Sequence, residues 1–190
     1  MWFNRWYFRY KGIQFGDRLQ VYNKVYVTGA RGRISIGDHF TLTSGDCINP
    51  ICRNLRACVH LGSPKAIITI GDNVGMSSPC IWISERLTIG NHVNIGGNCM
   101  IMDTDVHEID YLARRGEKVF DQNSPKTAVQ SAPVTIEEDV WIGANCQILK
   151  GVTIGARSVI GAGSVVTKSI PADCIAAGNP CRVVRELSFM

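Results

Sequence analysis

The sequence has little charge and lacks the signals that mark secreted or membrane-spanning proteins. Only 19% of its 190 residues are Asp, Glu, Lys or Arg, which is below the usual quarter. The longest stretch without a charged residue, Leu87 to Met102, contains Asn and His and is too short and too polar for a transmembrane helix. The N-terminus shows no apolar segment followed by a small-residue cleavage site, so secretion is not signalled. We therefore expect a cytoplasmic protein.

Closely spaced metal ligands are also missing. The eight cysteines form no C-x-x-C motif, and the four histidines, His39, His60, His92 and His107, lie far apart in the chain. Structural and catalytic zinc sites usually draw on close pairs of such residues, so we expect no metal. Reduced thiols are expected in a chain without a secretion signal. The net charge of +4 gives little support for nucleic-acid binding.

The sequence does contain a repeat with a period of six residues. An apolar β-branched residue recurs at every sixth position, and a small or β-branched residue lies two positions before it. A period of six fits neither a helix nor a two-sided strand, but it fits a short strand that ends in a corner. The most regular run consists of Ile136, Ile142, Ile148, Ile154, Ile160 and Val166.

Three such sides close a triangular coil of about eighteen residues, and stacked coils bury the apolar residues in an internal core. These apolar residues are the anchors of the repeat. Shorter runs with the same pattern begin at Ile36, Ile70 and Ile89, and in two of them Ile48 and Trp82 are the expected last anchors. The sequence therefore predicts an all-β solenoid of parallel strands.

Three segments of the second half are distinctive: V-W-I-G-A at 140–144, I-G-A-G-S-V-V-T-K at 160–168 and A-A-G-N-P-C-R-V-V-R at 176–185. Together they resemble the hexapeptide-repeat acyltransferases, in particular the galactoside and maltose O-acetyltransferase group and its polysaccharide O-acetyltransferase members. The resemblance implies a left-handed parallel β-helix, an exception to the usual right-handed crossover. It implies an acyltransferase domain over residues 20–185, preceded by a segment of residues 1–19 and followed by a tail of residues 186–190.

The repeat is interrupted twice. Residues 49–68 break the period as an irregular coil or a bulge. Residues 103–133 form a longer, protruding loop between the anchors Ile101 and Ile136. A long loop in a compact solenoid is usually functional. In the resembling family such a loop shapes the acceptor site and often reaches a neighbouring subunit of a homotrimer.

His107 is the expected general base. It lies at the start of the long loop, in the segment D-T-D-V-H, and an imidazole titrates near neutral pH. The resemblance places the family's catalytic histidine in this segment. Asp105 or Asp103 is expected to orient His107 or to bind the acceptor, and Arg114 of the same loop is a further candidate for the acceptor site.

The other histidines and several cysteines have structural explanations. His39 and His92 follow a glycine by two positions, which predicts corners of the repeat, while the role of His60 stays open. A buried cysteine usually behaves as a small, inert apolar side chain. Three cysteines are expected in buried positions two residues before an anchor: Cys80, Cys99 and Cys146.

Trp141 interrupts a run of small residues. Alternation along a strand points it opposite to Ile142, which means outwards. In the resembling family this Trp lines the catalytic cleft beside the thioester, Gly143 allows a close approach of the ligand, and the backbone N–H at Ala144 stabilises the oxyanion. Trp141 is therefore expected to contact both the donor and the acceptor.

Basic residues near the C-terminus suit the phosphates of a donor such as acetyl-CoA, although clustered charge is often only a solvated face. The resemblance assigns Gly161 and Ala162 to the pantetheine chain and Pro180 to the adenine. The remaining donor-binding candidates are Thr167, Lys168, Arg182 and Arg185.

The first eleven residues alternate aromatic and basic side chains. A membrane-surface anchor is one explanation, because aromatic rings lie at bilayer interfaces and cations face anionic lipid. A cap over the open end of the solenoid is the other. The residues concerned are Trp2, Phe3, Arg5, Trp6, Tyr7, Phe8, Arg9, Tyr10 and Lys11.

The resemblance thus predicts an acetyl-CoA-dependent O-acetyltransferase that modifies a sugar hydroxyl in surface polysaccharide biosynthesis. It would act as a cytoplasmic homotrimer, with membrane contact through residues 1–11 as an open alternative. Two other functions remain open: N-acetylation of an amino-sugar nucleotide, and a non-catalytic solenoid scaffold. The identity of the acceptor is not predicted.

Overall fold

The computed structural model describes residues 2–45, 48–116 and 129–188. Helix α1 (Trp2–Tyr10) is followed by short strands that run around three parallel sheets, named A, B and C, which enclose a triangular prism. In each coil the first strand belongs to sheet A, the second to sheet B and the third to sheet C. The predicted all-β parallel solenoid is therefore confirmed.

The first three coils consist of β1 (Gln14–Phe15), β2 (Gln20–Tyr22) and β3 (Tyr26–Gly29); β4 (Arg33–Ile36), β5 (Thr41–Thr43) and β6 (Cys58–Leu61); and β7 (Ile67–Ile70), β8 (Gly75–Ser77) and β9 (Cys80–Ile83). The next three consist of β10 (Arg86–Ile89), β11 (Asn94–Ile95) and β12 (Met100–Met102); β13 (Val134–Ile136), β14 (Trp141–Ile142) and β15 (Gln147–Ile148); and β16 (Thr153–Ile154), β17 (Val159–Ile160) and β18 (Val165–Val166). Strand β19 (Cys174–Ala177) then extends sheet B, and β20 (Arg182–Glu186) pairs antiparallel with it.

The strand register stacks the predicted anchors in columns through the centre of the prism. In sheet A, Ile89 pairs with Ile136, which pairs with Ile154. Sheets B and C contain equivalent columns. Every anchor from Ile136 to Val166 is 0% exposed, and burying one such side chain contributes roughly 1.5–3 kcal/mol. The period of six therefore reflects the internal core of this part of the chain.

The N-terminal half departs from the predicted pattern. Ile48 is 55% exposed, because the chain leaves the prism after β5 and returns only at β6. The first interruption therefore covers residues 44–57, not 49–68. Strand β1 begins at Gln14, so the coils start before the boundary expected at residue 20.

The phase of the third coil also differs from the prediction. Alternation along the four-residue strand β9 turns Ile81 and Ile83 into the core, with 2% and 0% exposure. Trp82 therefore faces outwards and is not an anchor. For the same reason Cys80 is exposed, although it was expected in a buried position. Cys99 and Cys146 are 0% exposed, as predicted.

Polar side chains tie successive coils together along the edge between sheets A and B. The N–H of Asp38 donates to Asp72 Oδ1 at 2.7 Å, and the N–H of Asp72 donates to Asn91 Oδ1 at 2.8 Å. His39 and His92 lie at this edge with positive φ values of 55° and 58°, a conformation typical of tight corners. The predicted corner positions of both histidines are confirmed.

Helix α1 packs on the first coil with one face and exposes the other. Phe8 is 3% exposed and belongs to the core, and the Asn4 side chain donates to two backbone carbonyls of the first coil at 3.0 and 2.8 Å. On the opposite face Phe3, Trp6 and Tyr10 are 60%, 61% and 74% exposed. Within the described residues, no helix has the length and apolarity needed to cross a bilayer.

Candidate active site

The long loop leaves the prism at the edge between sheets C and A. Its described stems pair with each other: Thr104 and Ser131 form an antiparallel bridge, and the N–H of Asp105 donates to the carbonyl of Gln130 at 3.0 Å. Helix α2 (Tyr111–Arg114) lies further out along the loop. Residues 117–128 of the predicted loop lie outside the described residues.

Asp103 anchors the root of this loop. Its carboxylate accepts three backbone hydrogen bonds, from Ser84 at 2.7 Å, Glu85 at 2.6 Å and Arg86 at 2.8 Å. The residue is 0% exposed, so neither oxygen reaches a ligand. The expected contact between Asp103 and the acceptor is therefore wrong, because this carboxylate is used to hold the turn between β9 and β10.

A strained turn presents His107 to solvent. Val106 has a φ of 65°, which is a rare conformation for a β-branched residue and costs about 1–3 kcal/mol. The turn is held by hydrogen bonds from the Val106 N–H to Thr104 Oγ1 at 3.2 Å and from the His107 N–H to the Asp105 carbonyl at 2.7 Å. Such strain often marks functional sites, and the residue that follows the strained position, His107, is exposed.

The Asp105 side chain is paired with a lysine that sequence analysis missed. Lys150 Nζ lies 3.3 Å from Asp105 Oδ2, and the two side chains are 31% and 25% exposed. Within the described ranges, the imidazole of His107 makes no side-chain hydrogen bond. The strand register contains the signal for Lys150: because Ile101 pairs with Ile148, the residues just after β12 lie beside those just after β15.

Arg114 contributes to the shape of the loop. One guanidinium nitrogen, Nη1, donates to the carbonyls of Glu108 and Ile109, both at 2.8 Å. The Asp110 side chain caps the N-terminus of α2 through bonds to the next turn. The exposed Arg114 side chain thus closes the segment after His107, and its contact with an acceptor stays a prediction.

The edge between sheets B and C presents an exposed tryptophan and an unused backbone donor. Trp141 is 58% exposed and Ile142 is 0% exposed, which confirms the predicted outward direction of the indole. A Cβ at Gly143 would lie 2.6 Å from the backbone nitrogen of Ala162, so a larger residue does not fit there. The N–H of Ala144 makes no hydrogen bond within the described part of the chain. This edge therefore offers a close backbone approach and a donor for an oxyanion.

Two buried thiols support this edge from inside. Cys99 Sγ donates to the carbonyl of Gly143 at 3.1 Å, and Cys146 Sγ donates to the carbonyl of Gly161 at 3.2 Å. The hydrogen bond between the two sulfurs, together with burial, raises the pKa of Cys99, and the same hydrogen bond lowers the pKa of Cys146 to about 7. A protonated, buried thiol is a poor nucleophile. Within the described residues, no group of three or more His, Cys, Asp or Glu side chains could hold a metal ion.

The other donor-binding candidates lie on the last coils. Gly161 and Ala162 continue the small-residue edge below Gly143 and Ala144. Lys168 follows β18, at the edge between sheets C and A, whereas Arg182 and Arg185 lie on β20 in sheet B. The exposed candidates at this end of the prism are Ala162, Thr167, Lys168, Pro180, Arg182 and Arg185.

Residues 133–168 match the family model described as bacterial transferase hexapeptide (six repeats). This part of the chain therefore consists of hexapeptide repeats of the kind found in bacterial transferases. Its fold is the left-handed parallel β-helix of that family. The matched segment contains the fifth and sixth coils, where the period of six is uninterrupted.

Curated relatives of this hexapeptide-repeat protein include galactoside O-acetyltransferases. That of Escherichia coli K12 is 43% identical over 102 residues, which cover 54% of this chain and 45% of the relative. That of Lactococcus lactis is 45% identical over 101 residues, which cover 53% of this chain and 43% of the relative. The matched region thus spans less than half the length of these relatives.

Solved structures of similar proteins include a hexapeptide-repeat-containing acetyltransferase from Vibrio cholerae. It is 37% identical, with a TM-score of 0.55 and coverage of 64% of each chain. A galactoside acetyltransferase in complex with coenzyme A is 28% identical, with a TM-score of 0.54, and the match covers 92% of this chain and 65% of that one.

The two groups best suited to chemistry lie on different edges of this hexapeptide-repeat chain. His107 follows β12 at the edge between sheets C and A, whereas Ala144 lies between β14 and β15 at the edge between sheets B and C. The width of sheet C separates these edges by roughly 10 Å, since three strand residues rise about 3.3 Å each. One chain therefore does not bring its own two groups together.

Proposed function

We propose that this protein is an acetyl-CoA-dependent O-acetyltransferase that acetylates a hydroxyl group of a saccharide. The observation that carries the proposal is the presence of an exposed imidazole at His107 and an unused N–H at Ala144. They occur in a chain 43% identical over 102 residues to a galactoside O-acetyltransferase. Acyl transfer from a thioester to a hydroxyl needs a base for the hydroxyl proton and a donor for the oxyanion.

In the proposed reaction, His107 removes the proton of the acceptor hydroxyl as its oxygen attacks the thioester carbonyl. The N–H of Ala144 donates to the resulting oxyanion. Collapse of the tetrahedral intermediate breaks the carbon–sulfur bond, and the thiolate of coenzyme A takes the proton from the imidazolium. The base is then restored, and no acetyl-enzyme forms. Asp105 holds the His107 backbone through its carbonyl and acts as a positioning residue.

Acetyl-CoA is proposed to lie along the edge between sheets B and C, with its thioester beside Trp141. The small residues of this edge allow close approach of an extended chain, and the exposed cations of the last coils suit phosphate groups. Pantetheine would lie along Gly143, Gly161 and Ala162, and the nucleotide part would contact Thr167, Lys168, Pro180, Arg182 and Arg185.

A homotrimer is proposed because one chain separates His107 from Ala144 by the width of a sheet. A second copy would supply the missing group to each site. Co-expression of His107→Ala and Trp141→Ala, each expected to be nearly inactive on its own, tests this arrangement. Mixed assemblies should regain part of the wild-type rate, because some interfaces combine two intact contributions. A fully active monomer in sedimentation, or no regained activity in the mixture, would contradict a shared site.

The acceptor is proposed to be a saccharide of surface polysaccharide biosynthesis, modified on the cytoplasmic side of the membrane. The alternative is N-acetylation of an amino-sugar nucleotide. Incubation with acetyl-CoA and both kinds of acceptor separates them, because hydroxylamine cleaves an acetyl ester and leaves an acetamide intact. An ester product supports the proposal, and an exclusive amide product contradicts it. If coenzyme A is not released with either acceptor, a scaffold becomes the better explanation.

The outer face of α1 is proposed to contact an anionic membrane surface. Phe3, Trp6 and Tyr10 are exposed there, and α1 has no acidic residue in its first turn. Co-sedimentation with phosphatidylglycerol vesicles should be lost in Trp6→Ser and absent with phosphatidylcholine vesicles. Lys65→Ser, a change at an exposed cation outside α1, should leave it unchanged. No binding by the wild type would contradict the membrane contact and leave α1 as a cap only.

A further inference from the structure

A cleft of about 350 Å³ lies on the outer face of sheet C, beside the turn that carries His107. Its floor consists of His60 from β6 and Trp82 from β9, which are direct register partners. Its wall includes Thr104 and Val106 from one stem of the long loop and Ser131 from the other stem. The loop and the prism therefore form this cleft together.

The floor of the cleft is held in place before any ligand binds. The rings of His60 and Trp82 meet edge to face, with centroids 4.5 Å apart and an angle of 60°. His60 Nδ1 lies 2.9 Å from Thr28 Oγ1. A Cβ at Gly62 would collide with Ser84 Oγ and lie 3.0 Å from Trp82 Nε1. Glycine at position 62 thus keeps this part of the cleft open.

The lining indicates the chemistry of the ligand. Among the described residues it contains no Asp, Glu, Lys or Arg, so a phosphate, carboxylate or ammonium group would lose hydration there without gaining a counter-charge. Aromatic rings provide a flat apolar surface, and hydroxyl groups from Ser84, Thr104 and Ser131 surround it. A neutral sugar ring, with one apolar face and a rim of hydroxyls, matches this surface. The volume lies within the usual range for small-molecule sites, roughly 300–1,000 Å³.

The cleft adjoins the proposed base. Val106 lines it, and the next residue is His107, whose Cα is therefore about 3.8 Å away. The charged candidates for donor binding lie elsewhere, on the last coil and β20. Neutral and cationic surfaces are thus separated along the prism, as two ligands of different charge would require.

We infer that this cleft is the acceptor site and that Trp82 and His60 determine which saccharide is used. The inference rests on the proposed function. The period of six predicts no role for His60 and places Trp82 in the core, because the period does not record which residues of β9 face inwards.

The test compares Trp82→Ala with Tyr26→Ala, a matched control on the outer face of the same sheet. Tyr26 is 41% exposed and does not line the cleft. With methyl glycosides of galactose, glucose and N-acetylglucosamine as acceptors, Trp82→Ala should raise the acceptor KM about tenfold, which corresponds to about 1.4 kcal/mol of lost aromatic contact. The KM for acetyl-CoA should stay within about twofold, and Tyr26→Ala should change neither constant. An unchanged acceptor KM in an active Trp82→Ala variant would overturn the inference while leaving the proposed function intact.

A second variant avoids any change to the floor. Val129 lines the rim and is 40% exposed, so Val129→Glu should fold normally and place a carboxylate in a neutral cleft. It should also raise the acceptor KM. An acceptor KM equal to that of the wild type would overturn the inference even if Trp82→Ala fails to fold.

Saturation-transfer NMR with the same three glycosides separates the cleft from the reaction. The wild type could give a saturation-transfer signal that Val129→Glu and Trp82→Ala lose and yet transfer no acetyl group. That result would support saccharide binding in the cleft and contradict the proposed function. No signal from the wild type, or a signal that both variants retain, would overturn the cleft as a saccharide site.

Discussion

The chain leaves its prism twice, and the two excursions differ in where their residues lie. The described residues of the first excursion, 44–45 and 48–57, fold back against the edge between sheets B and C. Its Cys52 and Ala57 are 0% exposed, and Asn98 of the prism donates to the carbonyl of Ile51 at 2.9 Å. In the second excursion, the described residues 103–116 and 129–133 are buried only at the root, and His107 is exposed. An insertion that packs back on its own coil thickens the prism, whereas one that projects creates a cleft.

A buried polar side chain holds the first residue of each excursion to the prism. Ser44 accepts the N–H of Ala57 at 3.0 Å and donates to the carbonyl of Lys24 at 2.6 Å. Asp103 accepts three N–H groups at the root of the second excursion. Because a buried polar group without a partner is costly, both residues stabilise the point where the chain departs from the repeat. Both excursions therefore begin at a buried polar side chain that is held by hydrogen bonds to the prism. They differ in how the residues after it pack.

The largest expected effect is on kcat, which should depend on the second excursion and not on the first. His107→Ala should lower kcat by about 10²–10⁴, the usual contribution of a general base, while the affinity for coenzyme A stays similar. Ile51→Ala, an exposed change in the first excursion, should keep kcat within about twofold. Steady-state kinetics with acetyl-CoA measures both. A His107→Ala variant that retains more than about a third of the wild-type kcat would remove the base from the mechanism.

The next effect concerns stability at the root of the second excursion. Asp103→Ala should lower the free energy of unfolding by about 3 kcal/mol or more, because three buried N–H groups lose a charged acceptor. Asp103→Asn, which keeps one carbonyl acceptor, should lose less. Urea unfolding followed by circular dichroism measures both variants. Equal stability of Asp103→Ala and the wild type would contradict the anchoring role.

Removal of the buried serine side chain at the start of the first excursion should reduce the free energy of unfolding by a smaller amount. Ser44→Ala should lower the free energy of unfolding by about 1–2 kcal/mol, since two neutral hydrogen bonds are lost, one from the N–H of Ala57 and one to the carbonyl of Lys24. The kcat should not change, because this excursion carries no proposed catalytic group. A fall in kcat without a loss of stability would place the first excursion in the active site and remove the contrast.

The smallest expected effect tests how the His107 turn is supported. Lys150→Met removes the partner of Asp105 while keeping most of the side-chain volume. A partly exposed ion pair contributes about 0.2–1 kcal/mol, so kcat should fall by no more than about fivefold. Asp105→Asn should give a similar change. A loss as large as that of His107→Ala would mean that this pair takes part directly in proton transfer.

Sequence analysis was most accurate where the period is unbroken. From Ile136 to Val166 each anchor occupies the same place in its coil, so periodicity alone predicts which side chains are buried. It also predicted that Trp141 points outwards, because alternation holds within even a two-residue strand. It failed at Trp82, since the four-residue strand β9 turns two residues into the core and the simple period of six does not record which ones.

Contacts between distant segments were the other limit. Asp103 looked like a ligand-binding carboxylate in the segment D-T-D-V-H, yet the turn at residues 84–86 buries it completely. Lys150 has no motif around it, and only the pairing of Ile101 with Ile148 places it beside Asp105. Both errors concern polar side chains whose partners lie in a different coil.

The sequence by itself determined the repeat, the parallel coils, the anchors of the last coils and the position of the long loop. Each of these follows from local spacing, because a six-residue period leaves little choice of which face is buried. Only the tertiary structure decided that Asp103 supports the fold, that Trp82 and His60 share a cleft, and that His107 and Ala144 lie on different edges. These features depend on how coils stack, and stacking brings together residues whose separation in sequence varies with the length of each excursion.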